Sequence, residues 1–288
     1  MKTVLVTGGS GFVGSNVIPI LKRKYKVLAP TRAELDVRDA AAVRNFVTQS
    51  KIDAVIHLAS PSPVRSAQLD SYDRLFEDCL KIYLNFYAVR ECCGKIIYSG
   101  SGAEFDKRQD ICNISENDFG KSVPIDDYGR AKFIMNEMAR SSENIYNLRI
   151  FGCFGPREYE SKFITHAINC CLRGEPITIR QNCKFDYLYI DDYARYLDYF
   201  INNEPHFHDY NAGSGTHILL TEIAQIVADK MNNKYGIVIA EQGLNKEYTA
   251  SSQRLADETG LVQDNLSIEN GIDRLIEWRI NNHEKTSC

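Results

Sequence analysis

No apolar run in this chain of 288 residues approaches the ~20 residues that a membrane-crossing helix requires, so a helical membrane protein is not expected. Charge of one sign is also lacking: 34 Lys and Arg against 38 Asp and Glu leave a net −4, with no basic excess to hold nucleic acid or an anionic membrane. Cysteine is present nine times, yet no CxxC spacing occurs, and Cys92–Cys93 and Cys170–Cys171 are adjacent pairs. That pattern suits neither a zinc site nor a disulfide framework, and it reads as small core fillers in a reducing cytoplasm. Repeats, low-complexity tracts and linkers are missing too, so nothing divides the chain into independent domains. The N-terminus runs straight into an apolar strand, which leaves no room for a signal peptide and points to a cytoplasmic location.

What is there begins at residue 3. Thr3-Val-Leu-Val-Thr7 is a β-branched run of the kind that forms a buried strand. It leads into Gly8, Gly11 and Gly14, and then into a segment with Phe12, Val13, Val17, Ile20 and Leu21 apolar. Glycines after such a strand let backbone N–H groups approach a pyrophosphate, and the following helix faces the anion with its N-terminus. Strand, turn and helix in that order predict a dinucleotide site, although the spacing is GxxGxxG rather than GxGxxG. The second strand, Lys26 to Pro30, ends without an acid until Glu34. Arg32 stands where a 2′-phosphate could be clamped, which favours NADP(H) while leaving NAD(H) open.

Downstream, strands at 53–59, 94–99 and 146–151 alternate with helices at 40–50, 72–92 and 124–140. This rhythm predicts an α/β fold: a Rossmann-type, doubly wound parallel sheet. His57, inside the third strand, reads as a core or near-cofactor histidine. After Gly155-Pro156 the texture changes, and a smaller α/β C-terminal substrate lobe is expected over 156–288 beside a nucleotide-binding domain of 1–155. Segments near 184–212 are expected to return to the first domain. Asp191-Asp192 and Thr221 are expected to cap helices, and no metal site is expected from Asp191-Asp192 or His206-Phe-His208.

Three side chains converge on the carboxyl edge of that sheet: Ser101, Tyr128 and Lys132. Tyr128 and Lys132 are four apart on a helix and share a face. A carbonyl reduction needs a proton donor for the developing alkoxide, and free tyrosine, with a pKa near ~10, exchanges protons poorly at neutral pH. The Lys132 ammonium is expected to bring the phenol down towards working pH, while Ser101 holds the carbonyl oxygen.

On Thr7–Gly14, Tyr128–Lys132 and Phe185–Asp192 the chain resembles the extended short-chain dehydrogenase/reductases that act on nucleotide sugars. The resemblance runs from Met1 to about Trp278. It implies catalytic roles for Ser101, Tyr128 and Lys132. It also implies cofactor contacts at Gly8, Gly11, Phe12, Val13, Gly14, Arg32, Asp36, Val37, Leu58, Ala59, Ser60 and Phe151, besides Tyr128 and Lys132. Substrate contacts are implied at Ser60, Gly102 and Ala103, with Arg157, Lys162 and Arg180 as cations from the lobe for the diphosphate. The helices around 72–92 and 124–140 resemble those that pair subunits in this family, which implies a homodimer.

Departures from the family pattern narrow the expectation. Dehydratases place an acid pair directly after the active-site hydroxyl, whereas Gly102 and Ala103 follow Ser101 and Glu104 comes one place too late. The chain looks nearest to the GDP-fucose synthase branch, but Ala103 and Arg157 stand where that branch has its cysteine and histidine. What remains is NADPH-dependent reduction of the 4-keto group of a nucleotide-linked deoxy sugar. A 4-epimerase with tightly held NAD and a non-catalytic NAD(P)-binding sensor are the alternatives.

Overall fold

The computed structural model describes residues 1–61 and 74–286. The start of the helix expected at Tyr72, the loop residues Ser62 and Pro63, and Cys288 lie outside these described residues. Six parallel strands form the central sheet: β1 (Thr3–Thr7), β2 (Lys26–Leu28), β3 (Ala54–His57), β4 (Lys95–Ser101), β6 (Ile145–Ile150) and β10 (Asp209–Ala212). Their order is β10-β6-β4-β3-β1-β2, every neighbouring pair parallel. The order reverses between β1 and β3, so the crevice at their carboxyl ends is the switch point where ligands bind in open α/β sheets.

Each face of the sheet carries its own apolar layer. Helices α2 (Ala40–Ser50), α3 (Leu75–Tyr87) and α4 (Asp127–Arg140) cover one face with Val43, Val47, Tyr83, Phe86 and Met135. Helices α1 (Phe12–Leu21), α6 (Ile190–Asn202) and, further out, α5 (Phe163–Arg173), α7 (Leu220–Lys230) and α9 (Ile268–Thr286) pack on the other, around Val17, Leu197, Phe200 and Ile223. Local chemistry sets the boundaries. Asp39 caps α2 by accepting from the Ala41 and Ala42 amides, and Asp126 caps α4 through Gly129. Gly174 ends α5 in the left-handed conformation.

A second sheet builds the lobe in the order β11-β9-β13-β5, from β5 (Ile111–Ile114), β9 (Lys184–Tyr189), β11 (His217–Leu219) and β13 (Tyr248–Ala250). A short β7 (Gly152–Phe154) pairs with β9, and β8 (Ile177–Asn182) pairs with β12 (Ile237–Leu244) in a two-stranded ribbon. The chain crosses between the two parts in both directions. Residues 111–114 of the first half join the lobe sheet, and 209–212 of the second half join the central sheet.

Two expected caps are corrected. Asp191 and Asp192 lie inside the first turn of α6, where Asp191 pairs with Arg274 at 3.1 Å and Asp192 accepts the Leu266 amide. Thr221 lies inside α7, bonded to Asn182, and the backbone there enters the helix from Leu219.

The largest fully buried side chain is a charged one. Arg149, on β6, donates to Glu104 at 2.7 Å, to Asn211 at 2.7 Å and to Asp209 at 3.1 Å, with no exposure to water. Removing one partner of such a pair strands a charge away from solvent, at a cost of about 3–5 kcal/mol. Arg149→Met is therefore expected to lower unfolding stability by that amount in urea titrations. A loss below about 1 kcal/mol would show that the network contributes little.

Candidate active site

A cleft of about 710 Å³ opens at the switch point, between the carboxyl ends of the central strands and the lobe. One wall is the turn from β1 to α1. The first turn of α1 has no side-chain cap at Gly11, which leaves helix-start N–H groups free to face an anion. A Cβ on Gly14 would come within 2.4 Å of the Gly8 carbonyl oxygen and 2.7 Å of the Gly9 Cα, so only glycine allows this close turn. That cradle fits the pyrophosphate of a dinucleotide, with Gly8, Gly11, Phe12, Val13 and Gly14 all on the cleft.

The neighbouring wall comes from β3 and β4. Leu58, Ala59 and Ser60 line it beyond His57. His57 is buried, lies 3.1 Å from the Thr7 hydroxyl through Nδ1, and is pushed down to about 3, first by burial and then by the Lys132 charge. It is a neutral core residue. Ser101 ends β4 and opens a short turn, its Oγ accepting the Ala103 amide at 3.1 Å. Glu104 closes that turn by accepting the Ser101 amide at 3.1 Å.

Helix α4 brings Tyr128 and Lys132 to the same place. The Lys132 Nζ donates to the Ser99 carbonyl at 2.9 Å and lies 5.7 Å from the centre of the Tyr128 ring. Burial lowers the Lys132 ammonium, against the opposing pull of Cys79 and Glu104. The Tyr128 phenol is not lowered towards neutrality, which corrects the expectation. Burial raises it most, and Cys79, Glu104 and Asp126 add to that. Desolvation of the phenolate outweighs the nearby ammonium because that ammonium is itself buried and tied to a backbone carbonyl.

Most of the other expected contacts also reach the cleft: Phe151 and Ala103 on its floor and Lys162 at the start of α5. Several do not. Arg157 folds back so that Nη1 donates to the Ser15 carbonyl at 3.1 Å, in a separate groove with Arg23 and Trp278. Arg180 lies on the outer ribbon, paired with Glu241 at 2.9 Å. Neither is placed to meet a substrate in the cleft. Gly102 sits behind the cleft surface, packed under Tyr248 and Phe151. Arg32, Asp36 and Val37 lie past the end of β2, outside the cleft lining; Asp36 is engaged by Arg38 through contacts of 3.0 and 2.6 Å.

The structure also adds residues that sequence reasoning missed. Lys107 and Lys246 bring two more cations to the cleft, and Tyr248 brings a second phenol beside Ser101. Glu158, one place beyond Arg157, lines the cleft while only 5% exposed, and its carboxyl group accepts from the Thr165 hydroxyl at 2.9 Å. No local pattern in the sequence marked any of them.

The family model described as the NAD dependent epimerase/dehydratase family matches residues 4–213. The chain belongs to that family. Its members are extended short-chain dehydrogenase/reductases that modify nucleotide sugars. A dTDP-D-glucose 4,6-dehydratase of Dictyostelium discoideum is 25% identical over 78% of this chain, which spans only 61% of that relative. Among solved structures, a GDP-L-fucose synthetase of Naegleria fowleri bound to NADP superposes with a TM-score of 0.85 at 19% identity, covering 98% of this chain and 94% of the other. A UDP-glucose 4-epimerase of Thermotoga maritima gives 0.83 at 20% identity, with both chains fully covered. These likenesses show a shared fold and do not separate the chemistries. Among the described residues, no helix is long and apolar enough to cross a membrane.

Glu158 gives the site a measurable pH signature. Burial pushes its carboxyl up to about 8. The native state thus keeps a proton that the unfolded chain releases near ~4.3, and stability declines as pH rises through that window. Glu158→Gln has no proton to lose. It is expected to be more stable than the wild type at pH 9 by roughly 5 kcal/mol, with the gain vanishing near pH 4. Thermal melts across that range check it; a pH-independent difference would refute the assignment.

Proposed function

We propose that this protein is an NADPH-dependent reductase of the 4-keto group of a nucleotide-linked deoxy sugar. The observation that carries the reading is the state of Glu104. A dehydratase needs a free acid beside the active-site hydroxyl, but Glu104 is wholly buried, ion-paired with Arg149 and bonded to Asn147 and the Ser101 amide. Ala103, nearest the cleft, has no titratable group. With Glu104 so committed, proton transfer to the carbonyl oxygen is assigned to Tyr128, which suits addition across one carbonyl.

The dinucleotide would be held by the β1–α1 turn, by Leu58 to Ser60 and by Lys132, and when bound its nicotinamide supplies a hydride. The chain's own residues do the rest. Ser101 orients the carbonyl oxygen by hydrogen bonding, and Tyr128, which burial keeps protonated, delivers its proton to that oxygen. Lys132 stands beside the phenolate that results and limits its cost. Lys107, Lys162 and Lys246 give the lobe side of the cleft a positive lining suited to the substrate's diphosphate. Arg32, exposed beside Asp36, is offered as the clamp for a 2′-phosphate. A homodimer through α3 and α4 is also proposed, since Leu84 and Ile134 stand exposed on these paired helices.

The deciding assay follows oxidation of NADPH and NADH with CDP-, GDP-, dTDP- and UDP-linked 4-keto-6-deoxyhexoses. Stoichiometric NADPH consumption with one of them is expected. Interconversion of C4 epimers of an ordinary nucleotide sugar, with tightly bound NAD and no net consumption, would replace the reading with a 4-epimerase. Tyr128→Phe is expected to abolish turnover and leave NADPH affinity within about twofold, because it deletes only the proton donor; unchanged turnover would remove the assignment. Arg32→Ala is expected to raise the KM for NADPH roughly tenfold while sparing NADH, the loss of one charge-assisted contact. Equal effects on both cofactors would remove Arg32 from the phosphate site.

A further inference from the structure

Arg157 is a cation that the cleft does not use. It lines a separate groove of about 480 Å³ along α1 beyond its first turn, together with Arg23, Arg195, Asp191, Pro19 and Trp278. That volume lies within the roughly 300–1,000 Å³ of small-molecule sites. The lining comes from α1, the loop before α5, the start of α6 and the middle of α9.

Charge on the groove is unbalanced. Three guanidiniums, Arg23, Arg157 and Arg195, share it with one carboxylate, Asp191, which is already paired with Arg274 at 3.1 Å. Arg195 is fixed in place: it donates to the Leu261 and Asp264 carbonyls, both at 3.0 Å, and Asp192 lies 3.4 Å away. Arg157 spends one N–H on the Ser15 carbonyl at 3.1 Å. A guanidinium carries five such donors. No carboxylate among the described residues pairs with Arg23 or Arg157.

The backbone goes against its preference to put Arg157 there. Its φ of 62° is left-handed, a region that residues other than Gly, Asn and Asp seldom occupy. Neighbours on both sides pin it: the Pro156 carbonyl accepts the Asn16 side-chain amide at 2.7 Å, and the Glu158 carbonyl accepts Arg279 at 3.2 Å. Trp278, the chain's single tryptophan, is half-buried against the core and shares the groove with Ile20 and Pro156. An indole beside guanidiniums sets a flat apolar surface next to donors that suit phosphate oxygens.

We propose that this groove is an additional nucleotide site, outside the cleft, for a nucleoside diphosphate: Arg23, Arg157 and Arg195 hold the phosphates and Trp278 stacks on the base. A plain phosphate would leave the indole unused, and an uncharged aromatic would leave the arginines unused. The site does not depend on the reductase reading, and its test needs no sugar substrate.

The probe is GDP, titrated into the wild-type protein saturated with NADP⁺ so that the dinucleotide turn is occupied. Trp278 fluorescence, excited where tyrosine does not absorb, reads the groove because the chain has no other tryptophan. Saturable quenching by GDP is expected, with an affinity that falls as NaCl is raised, since salt screens exposed charges. Pyrophosphate is expected to bind about tenfold more weakly, the worth of one stacked base, and guanosine not measurably. Arg157→Gly deletes the guanidinium and leaves a residue at ease with a φ of 62°, so the fold is not at risk. It is expected to weaken GDP about tenfold, the loss of one charge-assisted contact, and Arg23→Ala to do the same. GDP that leaves Trp278 fluorescence unmoved, or binds Arg157→Gly as tightly as the wild type, would overturn the proposal. Pyrophosphate as tight as GDP would overturn it too, since the indole would then play no part.

Discussion

A single guanidinium with no access to water sets the terms for the active site. Arg149, on β6 beside the edge strand β10, must have its charge met by protein groups alone, because an isolated ion there would cost many kcal/mol. Glu104 and Asp209 meet it, from the loop after β4 and from β10. Arg254, from the lobe, joins the same cluster through Asp209 at 2.8 Å and Glu116 at 3.8 Å. Three carboxylates thus share two guanidiniums. The cluster is one positive charge short, and burial accordingly pushes Glu104 and Glu116 upward. Sheet and lobe are joined by the same charges that place the catalytic loop.

The chemistry of the cleft follows from that arrangement. Because Glu104 is committed to Arg149 and Asn147, it holds the Ser101 turn in shape and is not free to exchange protons with a ligand. The proton donor we propose, Tyr128, sits in an environment drier than the sequence suggested. A lysine four residues away on a helix is a sound reason to expect a depressed phenol. Here the lysine is buried as well and spends a proton on the Ser99 carbonyl, so desolvation governs both groups, raising one and lowering the other. A high phenol suits a group that must begin protonated, provided that something stabilises the anion it leaves. Lys132, 5.7 Å from the ring centre, is the charge placed to do so.

Periodicity made the central sheet legible in the sequence. The run Thr3–Thr7, the glycine spacing that follows and the four-residue interval from Tyr128 to Lys132 are local patterns, and the elements form within a few residues of where those patterns put them. Charge was legible in kind but not in direction. Arg157 and Arg180 are cations near the right part of the chain, yet one is turned back by a left-handed backbone at φ 62° and the other is carried out on the β8–β12 ribbon. Tyr248 was not legible at all. It lies on a three-residue strand whose facing depends on parallel pairing with β5, more than a hundred residues earlier, and no short-range rule reports such a pairing. The caps expected at Asp191 and Thr221 failed for a related reason: α6 and α7 begin directly from strands, so the position before each helix belongs to Tyr189 and Leu219.

The same backbone serves a fucose synthetase and a 4-epimerase with nearly equal overlap, so what distinguishes this chain has to reside in a few side chains on a common frame. Those side chains come from both parts of the molecule. Ser101, Tyr128 and Lys132 are set by the central sheet and α4. Tyr248, Lys246 and Lys162 are set by elements of the lobe, which faces the other end of the cleft. Gly102 is the point at which the two sets meet, since a Cβ there would lie 2.4 Å from the Tyr248 hydroxyl. A side chain at 102 would therefore press on the lobe strand β13 as well as on the turn that carries Ser101.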